Sequence, residues 1–136
     1  MLKKVRGRPR RSQKVKKFLE DMLKGVGPSV ARGRDTEMLR EILDETAERL
    51  DKELTNQPGV EAEISGIIAG LYAEIGYPSK GEDLARRALA IRSETFGANS
   101  LQAAESLNLL GMLLVMQQKQ PEAEQARTEA LAIRRR

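Results

Sequence analysis

The sequence predicts an all-α protein of stacked helical hairpins, on three observations. Apolar residues recur at three- and four-residue intervals from Val15 onward, and no stretch alternates every second position as a half-buried strand would. Breaks bearing proline or glycine interrupt that period at regular distances. RALAIR at 87–92 returns as EALAIR at 129–134, 42 positions later, and Glu82 recurs as Glu124 and Leu71 as Leu113 at the same offset. A fixed period of this length, with two helices in each unit, is the signature of a helical-hairpin α-solenoid.

The elements follow in chain order. Residues 1–13 read as a flexible basic arm, because KKVRGRPRRSQKVKK at 3–17 holds nine Lys or Arg and no acid. The region 14–58 holds two lead-in helices. In the first, Val15, Phe18, Leu19, Met22, Leu23 and Val26 form one apolar stripe. Gly25, Gly27 and Pro28 end it. Asp35 or Thr36 can cap the second, whose buried stripe is Leu39, Ile42, Leu43, Leu50 and Leu54. Glu45/Arg49 and Glu48/Lys52 are expected to pair on its outside. NQPG at 56–59 ends it. Four more helices are expected at about 60–75, 80–96, 100–118 and 121–135, divided by GYPSKG, FGANS and QKQP. They make two repeat units, 59–98 and 99–136.

The chain of 136 residues has about one domain's worth of core. With neither cysteine nor histidine, it offers no disulfide, no thiolate metal site and no imidazole base. No apolar run approaches the ~18–20 residues of a membrane span. The basic start leads into no apolar signal region, so the expected compartment is the cytoplasm. The net charge of +4 is asymmetric: beyond residue 17, fifteen basic groups face twenty acidic ones. Attraction to an anionic partner therefore rests on the arm.

The second unit, SLNLLGMLLVMQQKQPEAEQARTEALAI, resembles the tetratricopeptide repeat, in the 42-residue variant of kinesin light chains and many bacterial proteins. The match runs through Leu107, Leu110, Gly111, Leu114, Ala123, Ala130 and Leu131, and in the first unit through Ile68, Ala69, Tyr72, Gly76, Ala88 and Leu89. Small residues let the two helices of a unit approach, and large apolar ones fill the space between them. Pro78 and Gln120 replace a turn aromatic, Gly81 replaces an early alanine of the second helix, and Ala85 and Arg127 replace its aromatic. Looser packing is expected in consequence. Residues 14–136 also resemble the repeat region of bacterial serine/threonine protein kinases, on ARGRD, LREILDETAERLDKEL and the ALAIR pair. The kinase's own glycine loop, HRD and DFG are missing from the sequence.

The resemblance implies a non-catalytic interaction module that binds a peptide or partner protein on the concave face lined by the first helix of each unit. Its groove positions are Gly66, Gly70 and Ala73, then Asn108, Met112, Val115 and Met116. Gly66 and Asn108 supply no cation for the family's carboxylate clamp, which disfavours an acidic C-terminal peptide. No acids cluster as catalysis would need, and phosphate-loop, calcium-loop and zinc spacings are lacking. No catalytic residue, cofactor or metal is expected.

Two further expectations concern the ends. RGRP at 6–9 resembles the AT-hook, a minor-groove element. Gly7 gives room in the groove, Pro9 keeps the chain extended, Arg6 and Arg8 lie on A·T steps, and Arg10 and its neighbours meet phosphates. The alternative reading is thus a DNA-associated protein whose arm grips A·T-rich DNA. The bland one is a solvated tail. At the other end, two repeats are fewer than the ~3 a solenoid normally needs. The last helix is expected to show Ala126, Ala130 and Ile133 to solvent and to favour a homo-oligomer through that end.

Overall fold

The computed structural model describes residues 36–135; the basic arm and the first lead-in helix lie outside them. The described residues form five helices: α1 Thr36–Glu53, α2 Pro58–Glu74, α3 Pro78–Phe96, α4 Leu101–Met116 and α5 Gln120–Arg134. No strand occurs among them. The residue types expected to break the period also start the helices. Pro58, Pro78 and Pro121 stand in first turns, where a missing N–H breaks no ladder. Ser100 caps α4 by accepting the Ala103 backbone N–H at 3.1 Å.

Three-residue connections fold α2 against α3 and α4 against α5 as antiparallel hairpins. The hairpins stack through α3 and α4, α2 also touches α4, and α1 packs chiefly on α2. The two hairpin turns are copies. Gly76 and Gln118 are their central residues, with φ of +91° and +63°. Tyr77 N–H donates to the Tyr72 carbonyl in one, and Lys119 N–H to the Leu114 carbonyl in the other. Only the first copy carries the glycine that this conformation favours.

One core unites Leu43 and Leu50 of α1, Ile64 and Ile68 of α2, Leu84 of α3 and Leu113 of α4. A smaller cluster joins Ala104 and Leu107 of α4 to Ala126, Ala130 and Ile133 of α5. This corrects the expectation for the last helix, since those three residues are 5%, 1% and 8% exposed. The second helix of a hairpin folds back on its own first helix, so α5 spends its small-residue face on α4. What it leaves outside is the face of Arg127 and Leu131.

The expected looseness is found in one place and reversed in another. A Cβ on Gly81 would stand 2.7 Å from the Ala69 carbonyl oxygen and 2.9 Å from Leu113 Cδ2, so glycine permits a closer helix approach than alanine would. At Gly111 an added Cβ would meet Arg127 Cγ at 3.0 Å, so the arginine stem covers the space of the missing aromatic. Ala126, in contrast, stands 42 positions after Leu84. It borders a hollow of about 260 Å³ lined by Arg86, Leu89, Leu110 and Glu122 among others.

Polar contacts join the elements. Asp44 of α1 accepts from Tyr72 of α2, from Lys80 of α3 at 3.3 Å, and from Arg40 at 2.8 Å. Partial burial alone would raise its pKa, but the hydrogen bonds from Tyr72 and Lys80 and the two cations hold the carboxyl below its usual value. Arg87 of α3 pairs with Glu61 of α2 at 2.7 Å. On α1, Arg49 engages Glu53, one turn onward.

Candidate functional site

The seven residues expected in a groove do not form one surface. Met112 and Met116 stand one turn apart on α4 and are 40% and 47% exposed, with half-buried Val115 on the adjacent row. On α2, a Cβ added to Gly70 would meet nothing within 4 Å, so the backbone there is open to an approaching chain. Ile67, one turn before Gly70, is 38% exposed. The groove positions read from the sequence do not include it. Its signal was the pair Ile67–Ile68: adjacent residues on one helix point about 100° apart, so only one of them could enter the core. Ile68 is the buried one. Ala73 also lies in the core. Gly66 faces α4, with Leu109 Cδ2 at 3.7 Å from its would-be Cβ.

Asn108, one turn before Met112 on α4, also borders the end of the stack. It lines a hollow of about 350 Å³ with Arg127, Leu131 and Arg134, at the end of the stack where α4 and α5 meet no further helix of the described chain. Register explains this placement. Asn108 follows Gly66 by 42 positions, and Gly66 looks toward the next unit.

How the described units grip one another shows what that end is built for. Arg92, near the end of α3, donates through Nη1 to the Gln102 carbonyl and to Ser106 Oγ, both at 3.3 Å, and reaches Glu105 Oε2 at 3.4 Å. At the start of α3, Glu82 accepts from Gln117 Nε2 at 2.8 Å, from Lys119 Nζ at 3.2 Å and from Arg86 Nε at 2.8 Å. Burial would raise the Glu82 pKa, but those three donors outweigh it and hold the carboxyl below its usual value. Between the two clasps Leu89 packs on both apolar clusters. Thus α3 holds α4 by a carboxylate at one end, a leucine in the middle and a guanidinium at the other.

The left-handed turn residues, the matched turn hydrogen bonds and the inter-unit clasps all keep one period, and a tetratricopeptide repeat model matches residues 61–136. The chain belongs to the tetratricopeptide repeat family. No curated protein matches it. Repeats of this kind generally mediate protein–protein interaction. No group of three or more acids in metal-binding proximity occurs among the described residues, and none of their helices is long and apolar enough to cross a membrane. Arg6, Gly7, Arg8, Pro9 and Arg10, expected to meet DNA, lie outside the described residues.

Proposed function

We propose that this tetratricopeptide protein is a non-catalytic interaction module, taking a short apolar peptide segment of a partner on the exposed side of α2 and α4. The observation that carries the reading is the exposure of Met112 and Met116 on successive turns of α4. Methionine is soft and adaptable, and an exposed pair suits a surface that must fit apolar side chains of more than one shape. Ile67 adds a fixed apolar contact, and the open backbone at Gly70 lets a peptide main chain come close. The resemblance of residues 14–136 to the region that accompanies bacterial kinases supports a recognition role without an enzyme.

The test is selection from a displayed random-peptide library with the full chain as bait, followed by binding assays on the enriched peptides. Peptides with two or more large apolar residues should emerge. Met112→Glu should weaken them at least tenfold, and deletion of residues 1–12 should leave them unchanged. Enrichment of A·T-rich duplexes over peptides, lost on that deletion, would favour the arm as the working part instead.

A further inference from the structure

The residues of the inter-unit clasp of α3 are repeated on α5, where no described helix packs on them. Adding the period of 42 takes Arg92 to Arg134, Leu89 to Leu131 and Glu82 to Glu124. All three copies are exposed, Leu131 at 50%, and neither Arg127 nor Arg134 has an ion-pair partner among the described residues. We propose that the α4–α5 end is a docking site for one amphipathic helix of another protein, acidic in its first turns and cationic or amide-bearing at its end. It would lie antiparallel to α5, with its acids at Arg134 and its last turn at Glu124.

The polarity comes from the occupied copy. There Arg92 meets the first turns of α4, at Gln102, Glu105 and Ser106, while Glu82 meets its end, at Gln117 and Lys119. Gln117 follows Glu105 by twelve residues, about 18 Å of helix at 1.5 Å per residue. An acid-first, base-last helix also suits its own macrodipole. The hollow beside Asn108 and Leu131 receives the apolar stripe. Asn108 is the polar group facing the guest, where Gly66 faces α4 in the first unit.

A second copy of this chain fits less well. Its acidic helix α1 already spends Leu43 and Leu50 on its own core, and Met38 is the one large apolar side chain that α1 exposes. The apolar stripe of residues 15–26 has its cations Lys14, Lys16 and Lys17 ahead of its acids Glu20 and Asp21, the reverse of the order this site asks for, so the proposed guest is a helix of another protein.

The test uses the full chain and two synthetic peptides of identical composition. Each is an 18-residue helix with apolar residues at i, i+3, i+4 and i+7. One carries Glu in the first two turns and Lys in the last two; the other has the charges exchanged. The first should bind at least tenfold tighter. Arg134→Glu should remove that difference, and Arg134→Glu with Glu124→Lys should invert it, while circular dichroism confirms an unchanged helix content. Leu131→Asp should weaken the first peptide at least tenfold, and Met112→Glu should leave it unaffected. Equal affinities, or indifference to Arg134→Glu, would overturn the proposal. So would a dimer in sedimentation that Arg134→Glu converts to monomer, since the face would then belong to a second copy.

Discussion

The Tyr72 hydroxyl donates to Asp44, and this bond ties α1 to the first repeat hairpin. Tyr72 is 3% exposed, so its hydroxyl has little water to turn to if the acceptor is lost. Tyr72→Phe should cost about 1.5–3 kcal/mol, the range for a hydrogen bond to a charged group. The loss should show in denaturant unfolding, and hydrogen exchange in α1 should rise more than in α4 or α5.

The same pair sets a pH dependence. The folded pKa of Asp44 lies below its unfolded value of 3.8. The carboxylate thus binds its proton less readily when folded, and its contribution is present above that value and lost as pH falls through the folded pKa. Glu82 acts in the same direction below 4.5. Wild type should lose stability on acidification below about pH 4 more steeply than Asp44→Asn, which keeps the shape but lacks the charge. Parallel acid titrations of unfolding free energy measure this.

The copied turns give a paired prediction. Gln118 holds φ of +63° with a side chain, whereas Gly76 holds +91° without one. Gln118→Gly should stabilise the protein by about 0.5–1 kcal/mol and Gly76→Ala should destabilise it by about 1 kcal/mol, both readable as shifts in denaturation midpoint. Equal and opposite behaviour at the two sites would show that the second turn carries strain the first avoids.

Ser65 is fully buried, and its hydroxyl has no hydrogen-bond partner among the described residues. It stands 42 positions before Leu107, a core leucine of the second unit. Removing an unsatisfied buried polar group relieves its desolvation penalty, so Ser65→Ala should stabilise by about 1 kcal/mol. Thermal and urea melts should move upward together. Gly81→Ala should do the reverse by about 1–3 kcal/mol, because its methyl would press on the Ala69 carbonyl.

Much of the fold was legible because local chemistry and tertiary need agree. The prolines that end one helix pattern start the next helix, and the ALAIR pair fixes the period that the turns and clasps keep. The sequence misled where a residue's partner is chosen by packing between elements. Ala126, Ala130 and Ile133 read as an outer face until the hairpin closes and sets them against Ala104 and Leu107. Gly81 reads as a loss of packing until the distance to the Ala69 carbonyl is known. Met112 and Met116 were accessible from helical spacing, and so was Asn108 one turn earlier, but that Asn108 also lines a hollow at the open end depends on how α5 packs. Arg92 and Arg134 carried the clue in plain view, as the last letter of each ALAIR, but a charged helix end resembles any solvated one until its partner is seen.

The exposed side of α2 and α4 is the central claim, and methionine methyl spectra test it most directly. Met38, Met112 and Met116 are the methionines among the described residues, and all three are exposed. On titration with a library-selected peptide, the Met112 and Met116 methyl resonances should shift and saturate together, and Met38 should stay in place. Saturable binding that leaves both α4 methyls unmoved would contradict the account.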